Sequence, residues 1–226
     1  MPFLKNQTIR PTRITIGANG ANGKKSLISA ALSSVDLGVP AAGAVATITA
    51  ATAANASTTV TVTPNLVLPT PRNITITSTG TAADVKAAGV VVTGKTLEGK
   101  VLTETLTPTV DTLGTVVGTK IFHTVTSVAF PAQDGAGVLF SVGVGDRFGI
   151  GTRNLSVTQV RLVKKLVSTG VESLVTPASS NFSTTVLEDN YVTLDVTANG
   201  LNQYYLYAFN YNWQLNPTND NPNYGF

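Results

Sequence analysis

The chain alternates. In VATIT (Val45–Thr49), TVTVT (Thr59–Thr63) and NITITS (Asn73–Ser78), apolar residues and short polar ones take turns. Period two is the spacing of a strand with one face toward a core and the other toward water. Segments of this kind recur along the chain with turn signals every 8–12 residues or so. That pattern predicts an all-β fold built as antiparallel β-sandwich or barrel modules, with extended N- and C-terminal arms.

Composition supports the pattern. Only 12% of residues are charged, about half of what a soluble domain usually carries. Thr, Ser and Asn supply the polarity instead. There is no Cys, so neither a disulfide framework nor a thiolate metal site can form, and stability must come from packing or from partners. From Leu37 to Pro71 there is no charge at all. An exposed neutral strand is an aggregation hazard that natural edges usually blunt with charge. The segment is therefore expected to be covered, inside the fold or by another subunit. Prolines and asparagines interrupt it, so it does not supply the roughly 20 apolar residues of a spanning helix. Neither a membrane span nor a signal peptide is expected.

Five organisational units follow. Residues 1–36 read as an extended N-terminal arm, with TRITIG (Thr12–Gly17) as one short strand and SLISAALSSVDLG (Ser26–Gly38) as a short helix ending at Gly38. Residues 37–71 are the neutral β-segment. Residues 72–151 form a β-sandwich-like module. In it GVVVTG (Gly89–Gly94) and KVLTETLT (Lys100–Thr107) flank the turn LEG (Leu97–Gly99). KIFHTVTSVAF (Lys120–Phe130) and VLFSVGVG (Val138–Gly145) flank AQDGAG (Ala132–Gly137). Residues 152–213 form a second β-module, with strands in NLSVTQVRLVKKLV, FSTTVL, YVTLDV and YYLYAFNYNW. Residues 214–226 are an Asn/Pro-rich C-terminal tail.

Charge is unevenly placed. Lys5, Arg10, Arg13, Lys24 and Lys25 lie in the first 25 residues with no acid, whereas the remainder has ten basic and twelve acidic residues. The basic arm is either a solvated tail or a docking segment for an acidic protein neighbour. It has no aromatic interleaving, so nucleic acid is not the expected partner.

Residues that could carry chemistry are few. His123 is the only histidine. It sits in an alternating strand without a local nucleophile or orienting carboxylate, so it reads as structural. The twelve carboxylates are dispersed and show no calcium-loop spacing. GVGDRFGIG (Gly143–Gly151) is rich in glycine, but strand-like sequence follows it where a phosphate cradle needs a helix N-terminus. The five sequons, at Asn6, Asn55, Asn73, Asn154 and Asn181, are what an Asn/Thr/Ser-rich chain produces by chance. The expected protein is not an enzyme and has no cofactor and no metal. The densest pattern is YYLYAFNYNW, where Tyr205, Tyr207, Phe209, Tyr211 and Trp213 share one face of a strand. That face is expected to be core first, a subunit interface second and a sugar platform third.

The ordered series PRNITITSTG, VVVTGKTLEGKVLTETLT, GTVVGTKIFHTVTSVAFPAQDGAG and SVGVGDRFGI resembles a β-module of virion structural proteins of tailed bacteriophages. It covers about residues 71–151 and contains no active-site residue to carry over. The resemblance implies a non-enzymatic virion component. Within that class a capsid decoration (cement) protein of the phage head is expected, gripping the major capsid protein or other virion proteins through its arms. A homo-oligomer is expected, with a trimer as one form. A neck, tail or head-fibre component is the neighbouring alternative, and a carbohydrate-binding adhesin is the alternative of another class.

Overall fold

The computed structural model describes residues 10–15, 27–150, 160–166, 168–177, 179–181, 189–194 and 198–211. They form an all-β protein of antiparallel sheets with no α-helix among them. The strands are β1 (Arg10–Thr15), β2 (Leu27–Gly38), β3 (Ala44–Ala53), β4 (Val60–Val62), β5 (Leu66–Gly80), β6 (Val90–Lys95) and β7 (Val101–Leu106). They continue with β8 (Thr115–Phe130), β9 (Val138–Gly149), β10 (Val160–Leu166), β11 (Glu172–Val175), β12 (Ser180–Asn181), β13 (Tyr191–Thr193) and β14 (Asn202–Tyr211). One sheet has nine strands, in the order β12-β13-β9-β5-β8-β6-β7, with β3 added to β9 and β4 to β8. The other has five, in the order β1-β2-β14-β10-β11.

The nine-stranded sheet curls into a half-barrel because its long strands are interrupted. Between the pairs Asn73↔Ile121 and Thr75↔Val117, β5 advances two residues while β8 advances four. Such a bulge bends the strand and increases its twist. The amides of Thr119 and Lys120 at this bulge find the Glu104 carboxylate of β7, at 2.7 and 3.2 Å. Glu104 fits only because Gly118 has no side chain: a Cβ there would lie 2.5 Å from Glu104 Oε2. A second irregularity falls between Val67 and Arg72, where Pro69 and Pro71 are tolerated because the ladder is already broken. The curl closes a core of Ile74 and Ile76 from β5, Val90 and Val92 from β6, Phe122, Val125, Val128 and Phe130 from β8, and Phe140 and Val142 from β9. Phe130 and Phe140 stack with centroids 5.6 Å apart and planes within 6°.

A smaller core joins the two sheets. Leu37, Tyr204 and Leu206 of the five-stranded sheet meet Phe148 and Val192 of the nine-stranded one, with Ile150 just after β9.

Several expectations are corrected here. Residues 27–38 form β2 and not a helix, because β1 and β14 flank them and pairing on both edges overrides local propensity. Gly38 still ends the element, with a positive φ of 69°. The arm expected over 1–36 contributes β1 and most of β2 to a sheet. The boundary expected at 71/72 falls inside β5, so the neutral segment and the module after it share one sheet. The second module divides: β10, β11 and β14 join the five-stranded sheet, β12 and β13 the nine-stranded one. FSTTVL and the tail 214–226 lie outside the described residues.

The neutral segment is only partly covered. β3 pairs with β9 along one edge, yet Ala44–Thr47, Ala50, Ala51 and Ala53 are exposed. Irregular register blunts it where charge would have been expected: between Ala44↔Val144 and Thr49↔Val142, β3 advances five residues and β9 two. The turns LEG and AQDGAG lie where expected, between β6 and β7 and between β8 and β9.

Candidate functional site

Two places gather polar or aromatic side chains: a latch beneath the start of β3 and the outer face of the five-stranded sheet. The latch is built on Arg72 of β5. Its side chain is buried, and its nitrogens donate to Gly145 O at 2.8 Å, Ala41 O at 2.9 Å and Asp146 Oδ1 at 3.2 Å. Its guanidinium also lies 4.5 Å from the centre of the Phe148 ring. Burial lowers its pKa, while the Asp146 carboxylate pulls it back up. Asp146 Oδ1 also accepts the amide of Gly43 at 3.0 Å. Residues 39–43, which carry the chain from β2 to β3, are thereby pinned to the nine-stranded sheet.

The neighbouring Asn73 is fully buried. It donates to Gly118 O at 2.9 Å and accepts the Arg147 amide at 3.0 Å. Its burial removes it as a glycan acceptor. Arg147 donates to Gly118 O at 3.3 Å and stacks 4.8 Å over the Tyr191 ring. An open groove of about 430 Å³ runs past these residues, between Val45 and Val117. The charged groups beside it are already tied into the scaffold. GVGDRFGIG falls in β9 up to Gly149, so its described glycines are strand residues beside close neighbours.

His123 lies in β8, half-buried. Its Nδ1 is enclosed without a hydrogen-bond partner, and burial lowers its pKa below the usual 6.5. Extending the register of Lys95↔Thr124 by one step sets it opposite Thr96, whose Oγ1 is likewise buried and unpaired. Among the described residues no group of three or more His, Asp or Glu could hold a metal ion, and no helix is long and apolar enough to cross a membrane.

The outer face of the five-stranded sheet is set by β14. Tyr204 and Leu206 are buried against the smaller core. Tyr205 and Tyr207 therefore point the other way, half-buried, with ring centroids 6.4 Å apart and planes tilted by 33°. The face expected first as core is thus not the one against the core. The reason is local: the smaller core takes one side of β14 only, and no element of the described chain lies across the other. Burial first, then Asp36, Tyr207 and Glu172, raise the Tyr205 phenol above its usual 10. Asp36 itself holds the Gly38 amide at 2.7 Å and the Gln203 side chain at 3.1 Å.

The remaining expected site residues are scattered. Arg10 and Arg13 stand in β1, in register with Leu32 and Ser29. Lys5, Lys24, Lys25 and Trp213 lie outside the described residues. Phe209 and Tyr211 continue β14 in register with Leu32 and Ala30. Sequence reasoning missed Arg72 and Glu104, buried charges in strands. The signal for Glu104 was present in KVLTETLT, where it shares parity with Leu102 and Leu106. It also missed Val163, in register with Tyr205, and Leu174, in register with Val163.

Comparison of the chain with family models, with curated proteins and with solved structures returns no match.

Proposed function

We propose that the chain is a structural virion protein of a tailed phage, and within that class a capsid decoration protein that stabilises the head shell. The resemblance over residues 71–151 supports this reading, and so does the use of the buried charges. Arg72, Glu104 and Asp146 hold backbone groups in place. The observation that carries it is β3: an uncharged ten-residue strand exposed over most of its length. Its irregular register blunts the edge against strand pairing, but its uncharged side chains stay bare, and in a protein that sits on a lattice a neighbour covers them. The basic segment with Arg10 and Arg13 lies at the opposite sheet's edge, where it can reach an acidic partner.

The test is the number of copies per purified virion, by quantitative mass spectrometry against the major shell protein. Hundreds of copies are expected. A few dozen or fewer would move the protein to a neck, tail or fibre position, and none would remove the virion reading. A second reading, a carbohydrate-binding adhesin, draws on the half-exposed Tyr205 and Tyr207. Saccharide binding lost in Tyr207→Ala would favour it.

A further inference from the structure

Strand register places an apolar row across the outer face of the five-stranded sheet. Tyr205 of β14 is in register with Val163 of β10, and Val163 with Leu174 of β11. Leu174 is 67% exposed, and Val163, Tyr205 and Tyr207 are half-buried. On β14 the same parity continues to positions 209 and 211, a phenylalanine and a tyrosine. Every described apolar side chain on the opposite face of β14 is buried in the smaller core. The sheet is therefore half of a sandwich: one side is packed, and nothing in the described chain covers the other.

We propose that this face is closed by the same face of a second copy of the chain, two five-stranded sheets packing across a two-fold axis. Size is the first argument. Five strands spaced by about 4.8 Å, with about eight residues each at roughly 3.3 Å, give a footprint of about 600 Å². Side-chain relief brings that toward the ~800 Å² per partner of a standard interface. Charge is the second. The outer-face register positions carry both signs, acids at Asp36 and Glu172 and bases at Arg10, Arg161 and Lys165. Both signs on one face let acid meet base when the face packs on its own copy. Composition is the third: tyrosines are enriched at interface centres, where the ring packs and the hydroxyl gives a polar handle. Sheet packing of this kind leaves the two sets of strands about 30° apart. It needs no arm, shell or host, and so stands whether or not the virion reading does.

The test is sedimentation equilibrium of the full chain from about 1 to about 100 µM, concentrations that bracket association of ordinary strength. The expected mass is twice 23.4 kDa, falling toward 23.4 kDa at the dilute end. Leu174→Lys and Tyr207→Lys should each weaken association at least tenfold. Val101→Lys, at a side chain 65% exposed on the edge strand β7 of the other sheet, should leave it unchanged. Both Leu174 and Val101 are exposed, so the thermal midpoint of each variant in far-UV circular dichroism serves as a check on folding. A wild-type mass of 23.4 kDa throughout would overturn the proposal. So would a mass of three or more chains, or an assembly indifferent to Leu174→Lys and Tyr207→Lys.

Discussion

The two sheets are written in the same alternating code and reach different ends. In the nine-stranded sheet the apolar side of each long strand turns inward because β8 and β5 bend, and Phe130 meets Phe140 inside the curl. In the five-stranded sheet the strands are regular except for one bulge at Tyr204/Tyr205, so the sheet stays open. Its apolar residues fall on both sides, and only one side finds a core in the described chain. The comparison teaches that alternation sets which residues share a face, while irregularity decides whether a sheet can cover itself. The first sheet supplies its own second layer. The second needs one from elsewhere.

If the nine-stranded sheet is self-sufficient, its core should dominate stability. Phe140→Ala should cost about 3–5 kcal/mol in urea unfolding and should unfold both sheets together. Unfolding of the nine-stranded half alone would break the comparison, since it would show that the smaller core does not couple the two. Arg72→Met should cost about 2–3 kcal/mol, because Ala41 O, Gly145 O and Asp146 lose a charged donor. Asp146 is 53% exposed, which keeps the figure below that of a fully buried pair. Hydrogen exchange should then speed up at the Gly43 amide but not in β6 or β7.

Glu104→Leu should cost about 1–3 kcal/mol by stranding the Thr119 and Lys120 amides. Glu104→Gln, which keeps an acceptor, should cost less. Equal losses in the two would mean that the bulge does not depend on those bonds. The smallest effect belongs to His123. Its folded pKa is below its unfolded value of about 6.5, so the unfolded chain binds the proton first. Its contribution is fully present above pH 6.5 and falls away as the pH drops through the folded pKa. His123→Gln should flatten the stability curve on the acid side. An unchanged slope below pH 6.5 would remove that contribution.

The strands of the nine-stranded sheet were readable because their alternation and turn residues agree. LEG and AQDGAG fall between strands as their chemistry requires, and NITITS divides into a core face, Ile74 and Ile76, and a polar face, Asn73 and Thr75. Residues 27–38 were misread because Ser, Ala and Leu are compatible with helix. What made them a strand was β14, 167 positions away in the contact between Gln203 and Asp36. The aromatic face was identified as a set, Tyr205 with Tyr207, but its direction was not. Which side of β14 meets a core depends on Phe148, Ile150 and Val192, and no local pattern announces them. Arg72 was invisible as a latch for a similar reason: its partners come from the linker before β3 and from β9.

The central claim is that the open face of the five-stranded sheet is completed by another chain while the nine-stranded sheet completes itself. Hydrogen exchange of the full chain, compared at dilute and concentrated conditions, tests it most directly. The account predicts added protection in β10, β11 and β14 on concentration, with β5, β6 and β8 unchanged. Protection that is the same at both concentrations throughout, or that rises in the nine-stranded sheet alone, would contradict it.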